Sequence, residues 1–188
     1  MKLFSALALT FAACASPGDR GLTVYGGQYL DNSLPNDLLV LQDFDPVDSY
    51  LAAVAYSQVL GRKESYRWEV EEQFAQHFGD QNHQEVNALL LFRLTQFPWH
   101  EFLPTTFAIG DGLSYAFETP TLEESLHAHE GGTDQLLNYL LLELTFAAPE
   151  WKRWSLVARL HHRSGVFGLF NDVEGGSNIL AFGLRYDF

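Results

Sequence analysis

The length of 188 residues suits a single domain, and a hydrophobic content of 47% excludes an intrinsically disordered chain. The formal net charge of −13 argues against nucleic-acid binding, because the phosphates would be repelled. The same charge is unfavourable for anionic lipid head groups unless divalent cations or local arginines neutralise them. After the N-terminal segment, no stretch is long and apolar enough to predict a membrane-spanning helix.

The N-terminus predicts an export signal over about residues 1–15. Lys2 precedes the apolar run from Leu3 to Ala13, and small residues follow. The only cysteine, Cys14, lies in a context that partly resembles a lipoprotein processing site. Simple cleavage near Ala15 and lipidation of Cys14 both remain open. In either case the mature chain of about 16–188 is exported and has no disulfide.

Polar and apolar residues alternate with a period of two in eight segments, each of which predicts a β-strand. The segments are about 21–30, 48–59, 64–75, 85–96, 105–117, 134–147, 152–163 and 178–188. Eight is the smallest usual strand number of a transmembrane barrel, and the aromatic content of 14% suits two interfacial girdles. The predicted fold is therefore all-β, an eight-stranded antiparallel transmembrane β-barrel in a single domain.

Charged residues on one face of these strands predict an interior of paired charges. The set is Glu69, Glu71, Arg93, Glu143, Arg159 and Arg185. The fifth strand is less regular, because Asp111 falls among apolar residues of the other face. We expect a bulge or a shifted register there.

Connections after strands one, three, five and seven are longer than the others. Membrane barrels have short periplasmic turns and longer external loops, so strand seven is expected to run outward from a periplasmic N-terminus. The last strand ends on Phe188, which resembles the terminal signature of bacterial outer-membrane barrels. The sequence therefore predicts a location in the bacterial outer membrane.

Strand seven carries a candidate nucleophile and base on its lipid-facing side. His162 and Ser164 share the face of the apolar residues, whereas arginines occupy the opposite face. A serine hydroxyl becomes nucleophilic when a base takes its proton, and the base works best when a third group orients it. Asp172 and Glu174 follow in the next loop. We prefer Glu174, because the glycine pair after it lets the loop fold back so that the Glu174 side chain can reach His162. An esterase acting on a membrane lipid is indicated.

The same loop offers candidates for the remaining functions of such a site. Backbone amides near Gly165 and Gly168 are candidate oxyanion donors, since glycine permits the dihedral angles of an anion-binding nest. Leu160, Phe167 and Phe170 are candidates for holding an acyl chain. Ordinary lipid contact or loop packing explains these apolar residues equally well.

Residues 159–174 resemble the active-site segment of the lipid A 3-O-deacylase family. The resemblance implies an eight-stranded outer-membrane barrel that hydrolyses an acyl ester of lipid A, the lipid of lipopolysaccharide, in the outer leaflet without a metal or other cofactor. It implies that Ser164 is the nucleophile, His162 the base and Glu174 the orienting acid. Asn171 and Asp172 match an Asn-Asp pair ahead of that glutamate.

This chain departs from the family pattern in two respects. Gly165 stands where the family typically has asparagine, and the spacing from serine to glutamate is shorter. An outer-membrane phospholipase is the nearest alternative, because that family also uses a lipid-facing His-x-Ser pair, typically in a larger barrel and with asparagine as the third member, often with calcium. A contact of Asn171 or Asn178 with His162 would favour the phospholipase. A non-catalytic barrel is favoured if His162 and Ser164 lie beyond hydrogen-bond distance.

The loop after strand five contains two closely spaced histidines, His127 and His129, among three glutamates, Glu123, Glu124 and Glu130. Such spacing is compatible with a metal site, but exposed loop histidines are usually only solvated. We therefore predict no metal and no cofactor. Membrane lipid is the expected partner, and homodimerisation remains open.

Overall fold

The computed structural model describes residues 18–31, 45–126, 128 and 131–188. The predicted signal peptide with Cys14 lies outside the described residues, as do His127, His129 and Glu130. Predictions made for those positions remain predictions. No helix in the described ranges is long and apolar enough to cross a membrane.

Eight antiparallel strands form one closed barrel in sequence order, with β1 paired to β8. The strands are β1 Arg20–Leu30, β2 Pro46–Arg62, β3 Tyr66–Gly79, β4 Gln84–Leu94, β5 Thr105–Ala116, β6 Leu136–Phe146, β7 Trp154–Ser164 and β8 Gly176–Asp187. A short helix, α1 Thr121–Leu126, lies between β5 and β6. The predicted fold class and all eight predicted strands are confirmed.

The structure corrects two local expectations. β5 has no bulge at Asp111, since its register with β4 and β6 is continuous and the side chain simply faces outward. The irregularities lie instead between Gln28 and Leu30 and between Val59 and Gly61. The connection after β3 is also short, because β3 extends to Gly79 and only residues 80–83 precede β4.

The barrel is apolar outside and charged inside, which is the reverse of a water-soluble protein. Leu and Val side chains on the outer face are exposed, for example Val24 at 59% and Leu184 at 47%. Inside, Arg93 contacts Glu69 at 2.7 Å and Glu143 at 2.6 Å. The predicted interior of paired charges is confirmed.

The helix α1 covers the end of the barrel opposite the start of β1 and the end of β8. Leu122 and Leu126 pack against the apolar cluster inside that end. Glu123 of α1 is buried and bonds to the Arg163 guanidinium at 2.9 Å. β7 ends at this same end of the barrel, so the candidate nucleophile lies near the helix-covered mouth and not near the start of β1.

Candidate active site

The parity of β7 places His162 and Ser164 on the outer surface of the barrel. Arg159, His161 and Arg163, which alternate with them, are buried in the interior. His162 and Ser164 are partly exposed near the end of the strand. The predicted pair therefore faces the lipid side.

Asn178 of β8 lies directly opposite His162 in the barrel register. The Asn178 Oδ1 atom lies 2.8 Å from His162 Nδ1. An amide oxygen only accepts hydrogen bonds, so this bond requires the proton on Nδ1. The lone pair then resides on Nε2, which is the arrangement that a general base needs.

Ser164 lies opposite Gly176 of β8, and the missing side chain of that glycine creates the space around the pair. A Cβ atom added to Gly176 would lie 2.9 Å from Ser164 Cβ and 3.0 Å from His162 Cε1. Both side chains therefore border the same small space. Within the described residues, His162 has its side-chain hydrogen bond to Asn178 and none to the Ser164 hydroxyl. This missing bond is the observation named above as favouring a non-catalytic barrel, although catalytic hydrogen bonds are often long before substrate binds.

Two further polar side chains continue this site along the outer face. Asn138 of β6 is the cross-strand neighbour of Ser164. Its Nδ2 atom donates to Asp111 Oδ1 at 3.0 Å and to the Gly112 carbonyl oxygen at 3.1 Å. A polar row of Asp111, Asn138, Ser164, His162 and Asn178 thus crosses four neighbouring strands.

Glu174 is not brought to His162 in this structure. Its side chain is exposed, as are those of Asn171 and Asp172, and the hydrogen-bond position at Nδ1 is held by Asn178. The catalytic role of Glu174 remains a prediction from the resemblance. The geometry favours Asn178 as the group that orients the base.

The predicted oxyanion amides are already engaged within the loop 165–175. Gly165 donates to the Gly175 carbonyl at 3.3 Å, and Gly168 donates to the Val173 carbonyl at 2.9 Å. A Cβ atom on Gly165 would lie only 1.9 Å from the Val173 oxygen. The close packing of this loop explains why asparagine does not fit at that position.

The loop 165–175 also holds apolar side chains outward beside the site. Phe167 is 96% exposed and Leu169 is 77% exposed. Val166 and Phe167 have positive φ angles of 52° and 55°, a region that β-branched and bulky residues rarely adopt. Internal hydrogen bonds such as that from the Phe170 amide to the Gly165 oxygen fix this strained conformation. Phe167 is thus available for lipid contact.

The sequence left three members of this site unassigned. Asp111 is irregular in the sequence pattern, but we interpreted it as a bulge and not as a polar residue facing lipid. Asn138 falls on the outward parity of strand six in the same way. Gly176 belongs to the glycine pair noted after Glu174, but its place opposite Ser164 is set by the register between β7 and β8, which the sequence does not show.

No family model and no curated protein matches this chain. Among solved structures, the outer membrane enzyme PagL is similar, with a TM-score of 0.58 and 11% identity over 87% of this chain and 97% of PagL. Neisserial surface protein A (NspA) is also similar, with a TM-score of 0.54 and 14% identity over 90% of this chain and 96% of NspA. Identities this low show the fold alone. That fold is the outer-membrane barrel, and with its apolar exterior the protein is located in the bacterial outer membrane.

Proposed function

We propose that the protein is a serine hydrolase that cleaves an acyl ester of a lipid in the outer leaflet. Ser164 is the nucleophile, His162 the general base and Asn178 the group that orients the histidine. The observation that carries the proposal is the 2.8 Å bond between His162 Nδ1 and Asn178 Oδ1 on the lipid-facing surface beside Ser164. A lipid-facing pair of this kind is costly in a membrane, which favours a functional role.

The chemistry follows the general course of serine esterases. His162 Nε2 takes the proton of the Ser164 hydroxyl while the oxygen attacks the ester carbonyl of the lipid. When the tetrahedral intermediate collapses, the imidazolium returns that proton to the leaving alcohol. Water then repeats the sequence on the acyl-enzyme and releases a fatty acid. Asn178 keeps the other ring proton on Nδ1 throughout.

Two lipids are candidate substrates. Lipid A is supported by the resemblance of residues 159–174 and by the barrel of eight strands, the size that this resemblance implies. The structural similarity to the enzyme PagL agrees with this candidate. The contact of Asn178 with His162 removes Glu174 as an argument for lipid A. It meets the criterion given above for the phospholipase, so a phospholipid becomes the preferred candidate and lipid A the second.

The test is mass spectrometry of both lipid classes after incubation with the purified, folded protein. Vesicles contain lipopolysaccharide and phospholipid, and the matched proteins are the wild type, Ser164→Ala and Ser125→Ala. Ser125 is an exposed serine of α1 and serves as the control. We expect one lipid to lose an acyl chain with the wild type and with Ser125→Ala, but not with Ser164→Ala.

Which lipid is shortened decides between the two substrates. Lipid A that is lighter by one acyl group establishes the deacylase, whereas lysophospholipid with free fatty acid establishes the phospholipase. Unchanged lipids with the folded wild type would overturn the proposal and leave a non-catalytic barrel. Equal activity of Ser164→Ala and the wild type would remove Ser164 from the mechanism.

A further inference from the structure

Three potential metal ligands converge inside the barrel near its helix-covered end. His77 lies near the end of β3, Glu85 near the start of β4, and His161 on β7. The side chains of all three are fully buried. Their candidate ligand atoms lie within 4.8 Å of one another. These residues take no part in the proposed hydrolysis, because they face the lumen.

The nitrogen and oxygen atoms of this cluster are poorly satisfied by the protein. His77 Nε2 lies 3.2 Å from Glu85 Oε2, and His161 Nε2 lies 3.0 Å from Glu85 Oε1. These contacts are close in distance but do not have hydrogen-bond geometry. Both Nε2 atoms and Glu85 Oε2 therefore have no hydrogen-bond partner in the described part of the chain. Such groups are costly to bury unless another partner approaches them.

The buried carboxylate of Glu85 also needs a positive charge nearby to compensate it. Its nearest guanidinium is that of Arg163, whose Nε atom lies 3.5 Å from Oε2. Arg163 donates at shorter distances to Ser114 and to the Glu123 carboxylate, and the latter neutralises it. Glu85 therefore depends on the two histidines, or on an ion held between them, for its compensating charge.

We propose that His77, Glu85 and His161 bind one divalent transition-metal ion, with zinc as the best match. Two imidazoles and a carboxylate form a ligand set that zinc uses, with water in the fourth position. Zinc–ligand distances of about 2.0–2.2 Å place tetrahedral donor atoms about 3.4 Å apart. The donor atoms here lie within 4.8 Å of one another, so side-chain movements of about 1 Å would bring them to the distances that zinc requires. Because β3 and β7 are opposite walls of the barrel, the ion cross-links them through the lumen.

Neighbouring residues support this role by fixing the ligands. The Tyr139 hydroxyl lies 3.0 Å from His161 Nδ1, and Asn87 donates to Glu85 Oε1 at 2.7 Å. When His161 Nδ1 donates its proton to Tyr139, the lone pair of Nε2 points to the ion. Partners of this kind hold metal ligands in position in known sites.

The test is metal binding by the tag-free, full-length barrel folded in detergent and freed of metal by a chelator. Titrated Zn²⁺ is quantified by elemental mass spectrometry, and Co²⁺ reports coordination through its visible absorption. The variants are His77→Gln and Glu85→Gln. The controls are His100→Ala, which removes an exposed histidine, and a double variant, His127→Ala with His129→Ala. Heat-modifiable gel migration verifies folding.

We expect one zinc per wild-type chain, a higher unfolding temperature with zinc, and binding at least about 100-fold weaker in each folded ligand variant. The two controls should bind as the wild type does. The proposal is overturned if the folded wild type binds no stoichiometric metal. It is equally overturned if Glu85→Gln binds with wild-type affinity, or if the loop double variant abolishes binding. None of these outcomes depends on lipid hydrolysis, so the two proposals fail separately.

Discussion

Asn178 differs from the expected glutamate in charge, and this difference has consequences for the base. A neutral amide oxygen fixes the tautomer of His162 but stabilises the imidazolium of the transition state less than a carboxylate does. The site therefore gains orientation from Asn178 more than electrostatic stabilisation. A base of this kind can suit a membrane surface, where a carboxylate would cost more to desolvate than an amide.

Replacement of Asn178 by alanine should lower kcat about 10- to 100-fold, because the imidazole loses its preferred tautomer and orientation. The KM should change little, since Asn178 contacts the histidine and not the lipid. Steady-state hydrolysis with a chromogenic ester in mixed micelles measures both constants. Glu174→Gln is the comparison, and a loss that matches that of Asn178→Ala would return the orienting role to Glu174.

Gly176→Ala should reduce activity by about 100-fold and also strain the pairing of β7 with β8. The added Cβ would lie 2.6 Å from the Arg163 carbonyl oxygen, 2.9 Å from Ser164 Cβ and 3.0 Å from His162 Cε1, so the backbone beside the pair must shift together with these side chains. A displacement of about 1 Å at a catalytic pair costs about this factor. Gly61→Ala is the matched control, since nothing lies within 4 Å of its added Cβ. Equal activities of the two variants would contradict the site geometry.

At the scale of the elements, two polar residues, Asp111 of β5 and Asn138 of β6, interrupt an outward face that is otherwise apolar. Asp111 lies between Ile109 and Leu113, both of which are exposed apolar residues of the same face. A carboxylate there lowers stability in a membrane. Its position beside Asn138 and Ser164, at a cost in stability, is the pattern expected of a functional residue.

Asp111→Leu should therefore raise the free energy of unfolding by about 1 kcal/mol while it lowers lipid hydrolysis. Asn138 loses one hydrogen-bond acceptor in this variant but keeps the Gly112 carbonyl. Urea unfolding in lipid vesicles and the hydrolysis assay measure the two effects. Leu113→Ala, two residues away on the same face, is the control. A stability decrease in Asp111→Leu would show that the carboxylate supports the barrel.

The strands could be predicted from the sequence because lipid on one side and a narrow lumen on the other impose a strict period of two. The outward position of His162 and Ser164 followed from the same parity. The contact of His162 with Asn178 could not be assigned in advance, because it depends on the exact register of β7 and β8. The helix α1 was missed, since six residues are too few for a helical pattern and its position depends on Glu123 and Arg163 meeting across the barrel mouth.

The docking of α1 should depend on pH. Burial alone would raise the pKa of the Glu123 carboxyl, but the Arg163 guanidinium, together with hydrogen bonds from Ser177 and Thr133, outweighs this and holds the pKa below its ordinary value of 4.5. The charged carboxylate therefore adds stability above pH 4.5 that is lost as the pH falls through the folded-state value. Glu123→Gln should unfold more easily than the wild type at pH 7, and the difference should shrink in acid. A pH-independent difference in urea midpoints would contradict this assignment.

At the scale of the whole molecule, the interior charges connect the walls of the barrel. Arg159 of β7 contacts Glu71 of β3 at 2.9 Å and also pairs with Glu143 of β6. All three side chains are buried, so Glu71 depends on this guanidinium for its charge balance, whereas Glu143 shares it with Arg93. The same arginine therefore supports the strand whose outer face carries His162.

Arg159→Ala should destabilise the barrel by about 3–5 kcal/mol, because it leaves the Glu71 carboxylate buried without its guanidinium partner, while Glu143 keeps Arg93. Arg153→Ala is the control, since the exposed Arg153 side chain donates to the Tyr186 hydroxyl and to no other side chain among the described residues. Urea unfolding in vesicles should show one cooperative transition shifted in the first variant and little changed in the second. Equal shifts of the two unfolding transitions would mean that water in the lumen, and not Arg159, solvates the interior carboxylates. A large shift for Arg159 alone would show that the lumen network, and not only the lipid-facing surface, stabilises the barrel that carries the candidate active site.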